Sequence, residues 1–155
     1  MNRDPVEISA RGIHETIRLL QEARDRECVL LWLGRREGGG QRVIEVYHPI
    51  QKASADYFEI PRDGMMELMD RLRSQGLYVV SQVHSHPKEA FHSRADDRWA
   101  IVRHCGALSI VLPWFATGAT LENFLEVAAV YQLDTANVWQ PLRETPLTGA
   151  IRITP

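Results

Sequence analysis

The junction between residues 77–83 and the segment His84-Ser85-His86-Pro87 constrains the fold of this chain more than any other feature. Residues 77–83 read Leu-Tyr-Val-Val-Ser-Gln-Val, and this largely apolar, valine-rich run predicts a buried strand. Alternate side chains of a strand point to the same side, so the two histidines share one side and Ser85 faces the other. Pro87 restricts how the chain leaves the second histidine. The sequence therefore predicts a strand that brings two imidazoles to one point.

A third ligand would complete a metal site at this point. Neutral imidazole is the commonest protein ligand for zinc, and catalytic zinc sites typically combine three protein ligands with a water molecule. Asp96 is the candidate third ligand. Two histidines separated by one residue also arise by chance, and they would then be polar loop residues. Because Pro87, Ser93 and Asp96 accompany the pair, we favour a zinc site.

Hydrolysis at a metal also needs a base, usually a carboxylate that is not itself a ligand. Glu27 is our candidate because it lies at the junction between a predicted helix and a predicted strand. That strand could lie beside the histidine-bearing strand in the sheet. The alternative is that Glu27 only solvates the end of a helix.

The order of apolar patterns predicts an α/β fold, with a mixed sheet flanked by helices. Helices are expected at residues 6–26, at about 62–75 before Gly76, and at 96–104. Strands are expected at residues 28–33, 42–47, 77–83 and 107–113, and the apolar stretches 124–133 and 149–154 should complete the sheet. Gly38-Gly39-Gly40 predicts a hairpin between the first two strands. A loop with a short strand is expected at residues 49–61.

Composition narrows the class of protein. A chain of 155 residues with 45% hydrophobic residues fits one domain over residues 1–155. A formal charge of -2, with scattered basic residues, argues against nucleic acid as a partner. No apolar run is long enough for a signal peptide or a membrane span, so we expect a cytoplasmic protein. Cys28 and Cys105 are expected to be reduced and buried.

Three separated motifs together resemble the JAMM (JAB/MPN) metalloproteases. That family has a glutamate opening a strand that ends in glycine, then His-x-His-Pro after a later strand, then Ser-x-x-Asp. This sequence has all three in that order: Glu27 to Gly34, His84 to Pro87, and Ser93 to Asp96. The resemblance covers about residues 10–135 and implies the JAB/MPN fold, which is cytidine-deaminase-like.

The resemblance also implies roles for five residues. His84, His86 and Asp96 would bind Zn2+, Glu27 would act as general acid and base, and Ser93 would stabilise the oxyanion. This agrees with the chemistry, in which zinc polarises the scissile carbonyl and Glu27 carries the proton from water to the leaving amine.

The chain departs from the family pattern at two places. Counted from His86, the usual spacing reaches Asp97, whereas the spacing from Ser93 reaches Asp96. We prefer Asp96, because the loop before it can lose a residue more easily than the Ser-x-x-Asp turn; Asp97 is the alternative. Many members have glycine near the substrate where this chain has Leu30, so Leu30 is expected to narrow or reshape the groove.

Members that keep all the ligands cleave after the C-terminal glycines of ubiquitin or ubiquitin-like proteins. Such a tail could bind as an extended strand at a sheet edge. The compact chain resembles stand-alone prokaryotic members that accompany E1-like and E2-like enzymes, often in antiphage defence. The resemblance thus implies a deubiquitinase-like isopeptidase. One alternative substrate is a sulfur-carrier protein tail or a small amino-acid conjugate; another reading is a non-catalytic MPN scaffold.

Overall fold

The computed structural model describes residues 4–93, 96, 100–143 and 149–155. The described helices are α1 (Ala10–Glu22), α2 (Arg62–Gln75) and the short α3 (Phe124–Val127). The strands are β1 (Val6–Ser9), β2 (Val29–Glu37), β3 (Gly40–Tyr47), β4 (Lys52–Ala53), β5 (Phe58–Glu59), β6 (Tyr78–Ser85), β7 (Leu108–Leu112), β8 (Ala129–Leu133), β9 (Trp139–Pro141) and β10 (Ile151–Thr154). None of the helices in these ranges is long and apolar enough to cross a bilayer.

A mixed sheet of eight strands forms the centre of the described structure, in the order β10-β1-β3-β2-β6-β7-β8-β9. Strand β2 runs antiparallel to both β3 and β6, whereas β6 and β7 are parallel. The histidine-bearing strand β6 therefore lies inside the sheet, between β2 and β7. The predicted α/β class with a mixed sheet and flanking helices is confirmed.

The side chains of β2 alternate between two apolar clusters, which explains its continuous apolar sequence. Leu30 and Trp32 belong to the cluster that contains the buried face of α1. Val29, Leu31 and Leu33 belong to the cluster that contains Leu68 of α2. Helices thus cover β2 from both faces, and the core holds this strand firmly.

Three glycines shape the β2–β3 hairpin, two in its turn and one within β2. Gly38 and Gly39 have φ angles of 59° and 79°, a left-handed conformation that glycine adopts without strain. At Gly34, an added Cβ would lie 2.1 Å from the carbonyl oxygen of Arg42, so a side chain cannot fit. Gly34 stands where the register of β2 against β3 shifts, and its missing side chain permits this close approach.

The beginning of the chain differs from the expected helix at residues 6–26. Val6 and Ile8 are buried in alternation, and Val6–Ser9 forms a strand that pairs in parallel with β10. The helix begins only after Ser9, whose Oγ accepts a hydrogen bond from the backbone N–H of Gly12 at 3.0 Å. It ends at Glu22. Pairing with a strand from the other end of the chain therefore overrode the helical spacing.

The expected helix at residues 96–104 is wrong for its second half. Residues 100–104 are not helical, while residues 97–99 lie outside the described ranges. Two contacts with β6 hold this segment instead: the backbone N–H of Ile101 donates to Gln82 Oε1, and His104 Nε2 lies 2.9 Å from the Val79 carbonyl oxygen. Tertiary contacts thus replace helical ones here.

Three smaller differences concern strands and a cysteine. In the stretch 124–133, the first residues form α3 and the strand begins only at Ala129. Strand β9 was not expected, because Pro141 and the polar Gln140 mask it in the sequence. Cys28 is buried as expected, but Cys105 is exposed.

Candidate metal centre

Three side chains converge at the C-terminal end of β6. His84 Nε2 lies 3.1 Å from Asp96 Oδ1, and His86 Nε2 lies 3.2 Å from Asp96 Oδ2. The two Nε2 atoms are 3.2 Å apart. All three residues are buried, and one ligand atom from each lies within 4.8 Å of the others. Two imidazoles and a carboxylate in this arrangement could hold a metal ion.

Strand β6 positions both histidines. His84 pairs with Val29 of β2 and with Val111 of β7, so its backbone is held on both sides. The backbone N–H of His86 donates to the carbonyl oxygen of Leu112 at 2.9 Å. Ser85 faces away, as the alternation predicts, and its Oγ accepts a weak hydrogen bond from the Cys28 N–H at 3.4 Å. The two imidazoles are therefore fixed by the sheet.

Asp96 is held by a reciprocal pair of hydrogen bonds with Ser93. The backbone N–H of Ser93 donates to Asp96 Oδ2 at 2.7 Å, and the backbone N–H of Asp96 donates to Ser93 Oγ at 3.0 Å. This is the geometry of a capping box, in which the Ser93 hydroxyl caps the Asp96 backbone N–H and the Ser93 backbone N–H orients the Asp96 carboxylate. Asp97, the alternative ligand, lies outside the described residues.

The electrostatics of the three residues favour a charged carboxylate. Burial by itself would raise the pKa of Asp96, but the hydrogen bonds from His84 and His86, with that from the Ser93 backbone, hold this pKa well below its usual range. Burial lowers the pKa of His86, but the hydrogen bond and charge of Asp96 outweigh burial and raise it. A cation at this point would compete with protons for the imidazoles.

Glu27 lies opposite His86, just before β2 begins. Val29 pairs with His84, and the Ser85 N–H donates to the Cys28 carbonyl oxygen at 3.3 Å, so the same register continued by one residue sets Glu27 against His86. Its exposed fraction is 6%, so Glu27 is not a solvated helix-end residue. Burial raises the pKa of Glu27 to about 7, the positive charge of His86 opposes this, and the charge of Asp96 adds to it. The Glu27 carboxyl group is thus close enough to interact electrostatically with both His86 and Asp96.

Comparison with known proteins agrees with this geometry. A family model for prokaryotic homologs of the JAB domain matches residues 9–125, which is most of the chain. The chain belongs to this family. The probable metalloprotease y4jG of Sinorhizobium fredii is 33% identical over 132 residues, covering 83% of this chain and 80% of that protein. The resemblance to the JAMM (JAB/MPN) family is therefore confirmed.

Two solved structures share the JAB fold of this chain. Protein DSY2949 of Desulfitobacterium hafniense has a TM-score of 0.69 at 17% identity, covering 96% of this chain and 92% of that one. A protein from Salinibacter ruber has a TM-score of 0.55 at 18% identity, covering 88% of this chain and 87% of that one. At these identities the comparison concerns the fold alone.

Leu30 does not lie where the resemblance implied. Its side chain has no exposed area and belongs to the core cluster that also contains Trp32. On β2 it alternates with Val29 and Leu31, which face the other cluster. Leu30 therefore packs in the core of this JAB domain and does not reshape a groove.

Two phenylalanines flank the histidines and were not singled out in the sequence. The Phe58 ring centroid lies 5.6 Å from that of His84, and the Phe91 centroid lies 4.8 Å from that of His86, edge to face. Phe58 is buried, whereas Phe91 is 51% exposed. Phe58 reaches His84 only through the tertiary fold, and no sequence pattern marks Phe91, although it lies only five residues after His86.

A left-handed turn at Trp114–Ala116 is fastened to the histidine loop. Trp114, Phe115 and Ala116 have φ angles of 55°, 51° and 60°, a conformation that costs about 1–3 kcal/mol for each non-glycine residue. The N–H of Phe115 donates to the His86 carbonyl oxygen at 2.8 Å, and the N–H of Trp114 donates to the Lys88 carbonyl oxygen at 3.0 Å. These hydrogen bonds hold the turn against the loop that carries His86.

Proposed function

We propose that this chain is a zinc-dependent metallopeptidase that cleaves after the C-terminus of a ubiquitin or ubiquitin-like protein, in deconjugation or in precursor maturation. The observation that carries the proposal is the buried group of His84, His86 and Asp96, with the buried Glu27 just before the adjacent strand β2. The family match and the similarity to a probable metalloprotease support the metallopeptidase part.

The residues present fit zinc. Two imidazole nitrogens and a carboxylate are the donor set of a catalytic zinc site, in which a further position stays open for water. His84 faces the group with Nε2, which lies 3.1 Å from Asp96 Oδ1, whereas its buried Nδ1 has no hydrogen-bond partner among the described residues. His84, His86 and Asp96 would hold the ion. Zinc would supply Lewis acidity, which lowers the pKa of water and polarises a carbonyl.

Glu27 is proposed to move the proton. A base works best when its pKa lies near the working pH, and burial raises the pKa of Glu27 to about 7. A bound cation would lower this value, because positive charge favours the carboxylate. Glu27 would take a proton from the attacking water and donate it to the leaving nitrogen, so that it ends the reaction ionised again.

Ser93 is proposed to stabilise the negative charge that develops on the scissile carbonyl oxygen. Its Oγ accepts a hydrogen bond from the Asp96 N–H, and this leaves the hydroxyl proton available for donation. Ser93 is half-buried, so its hydroxyl is not sealed from a substrate. A donor held in place before the reaction is worth more than one that must reorient.

The ubiquitin-like substrate is supported by the surface around the site. The exposed Phe91 stands beside His86, and the 53% exposed Trp114 stands on the turn bonded to the same loop. Exposed rings suit an extended protein tail, whereas a small conjugate needs a closed pocket. A cavity of about 1250 Å³ opens at the other end of β6, beside Tyr78 and His104, but its lining includes neither the proposed ligands nor Glu27.

We propose a cytoplasmic role beside E1-like and E2-like enzymes in a bacterial conjugation and antiphage defence pathway.

The test uses a ubiquitin-like domain fused at its C-terminus to a reporter, with Glu27→Gln compared with wild type. The exposed Glu122 supplies a matched control, Glu122→Gln. Wild type and the control should cleave, while Glu27→Gln should lose about 10²- to 10⁴-fold in rate and keep its zinc. Equal cleavage by Glu27→Gln would refute its role as base.

The same assay separates the alternatives. Cleavage of a sulfur-carrier tail or an amino-acid conjugate, with the ubiquitin-like fusion left intact, would assign the site to that substrate. Zinc far below one per chain together with no cleavage would indicate a non-catalytic scaffold.

A further inference from the structure

The start of β2 has one edge that no strand of the main sheet covers. Pairing with β3 begins only at Leu31, opposite Tyr47. The backbone groups of Cys28 point toward β6, where its carbonyl oxygen accepts from Ser85. In an antiparallel strand, the backbone groups of Val29 therefore point to the opposite edge, and those of Glu27 point there too. Buried groups on that edge need partners from elsewhere.

Gln51 supplies both partners of Val29 through its side chain. Its Oε1 accepts from the Val29 N–H at 2.9 Å, and its Nε2 donates to the Val29 carbonyl oxygen, also at 2.9 Å. Nε2 further contacts the Pro49 carbonyl oxygen at 3.2 Å. The amide of Gln51 thus takes the place of a paired strand residue at a buried position.

The chain that follows Gln51 holds the backbone of Glu27. The N–H of Glu27 donates to the Ser54 carbonyl oxygen at 2.6 Å. Ser54 closes the turn between β4 and β5, where its own N–H donates to the Tyr57 carbonyl oxygen at 2.8 Å. Phe58, the first residue of β5, packs on His84. A single short segment therefore touches both the proposed base and a proposed ligand.

We propose that Gln51 is a positioning residue for Glu27, which it acts on by clamping residues 51–54 to the edge of β2. The proposal rests on the proposed function, in which Glu27 is the base. Residues 24–26 before Glu27 are exposed and belong to no helix or strand, so they give the base little support. Without the two hydrogen bonds of Gln51, Ser54 would no longer be held at the Glu27 N–H. Misplacing a catalytic group by about 1 Å can reduce the rate about 100-fold.

The test compares Gln51→Leu with Gln51→Glu and with the matched control Gln140→Leu. Leucine keeps similar bulk without either hydrogen bond, and glutamate keeps the acceptor for the Val29 N–H. Gln140 is exposed, and its amide donates to Asp134 on the far side of the sheet. On the ubiquitin-like reporter, Gln51→Leu should lower kcat about 10- to 100-fold with KM within about twofold and zinc retained. Gln51→Glu should fall between it and wild type.

A second readout needs no substrate. Amide hydrogen exchange at Glu27 and Val29 should accelerate on the order of tenfold in Gln51→Leu. The Ser85 amide of β6, which bonds to Cys28 at the opposite edge, should keep its protection. Unchanged kcat, a change confined to KM, or loss of zinc in Gln51→Leu would overturn the proposal. If wild type cleaves nothing, the proposed function fails. Unchanged exchange at Glu27 in Gln51→Leu would overturn the clamp, whatever the outcome of the cleavage assay.

Discussion

Replacing Ser93 with alanine should separate a structural effect from a catalytic one. In the folded protein, Ser93 Oγ accepts from the Asp96 N–H at 3.0 Å, and alanine removes this acceptor. In the second bond, the backbone N–H of Ser93 donates to Asp96 Oδ2 at 2.7 Å. This donor is unchanged in Ser93→Ala, so the bond remains. The ligand should therefore stay oriented. Loss of an N-cap acceptor costs about 1 kcal/mol, which corresponds to a fall of about 2–4 °C in Tm for a chain of this size.

The catalytic effect should be larger. If the Ser93 hydroxyl donates to the developing oxyanion, its removal should lower kcat about 10²- to 10³-fold, or about 2.7–4 kcal/mol. This exceeds the structural loss because the donor acts only when charge has developed. Ser93→Thr keeps the hydroxyl and should recover much of the rate.

The assay is the ubiquitin-like reporter, combined with zinc content and a thermal melt. Ser74→Ala serves as the control, since the Ser74 hydroxyl is exposed and donates to the Arg71 carbonyl oxygen within α2. The reasoning fails if Ser93→Ala keeps its rate within about twofold of wild type. It also fails if zinc is lost, because Ser93 would then act through Asp96.

Three further predictions concern the third metal ligand, the reactivity of the two cysteines and the pH dependence of stability. Asp96→Ala should release zinc in a competition with a chelator while Asp97→Ala retains it, and the reverse result would make Asp97 the ligand. Iodoacetamide at pH 8 should label the exposed Cys105 and spare Cys28, whose pKa burial raises to about 12. Above about pH 9 the folded protein keeps a proton on Cys28 that the unfolded thiol releases. The free energy of unfolding should therefore fall between about pH 9 and 12, by at most about 1.4 kcal/mol per pH unit. This fall should be smaller in Cys28→Ala.

Much of the fold could be predicted because its signals are local. Residues 28–33 form a continuous apolar run because both faces of β2 are covered, and the glycines after β2 form the expected turn. The helix expected from residue 6 is wrong at its start because β1 is short and gains its stability from β10, at the other end of the sequence. No local pattern carries such a pairing.

The candidate site also has one part that local sequence patterns predict and another that depends on the tertiary fold. The convergence of His84 with His86 follows from strand alternation, and the hold of Ser93 on Asp96 follows from capping chemistry three residues apart. The structure brings these residues together as expected, and their roles remain proposals. Phe58 and Gln51 could not be found in the sequence, because each meets the site across a long sequence separation, and no pattern marks Phe91 although it lies only five residues after His86.

The sequence by itself determined the motifs, their order and the family, since alternation and capping depend only on near neighbours along the chain. The tertiary structure decided where Glu27 stands. Its position opposite His86 depends on the register of β2 against β6, and its backbone partner is Ser54 in a separate hairpin. Register and burial are set by packing across the whole sheet, and that packing also brings the pKa of Glu27 to about 7.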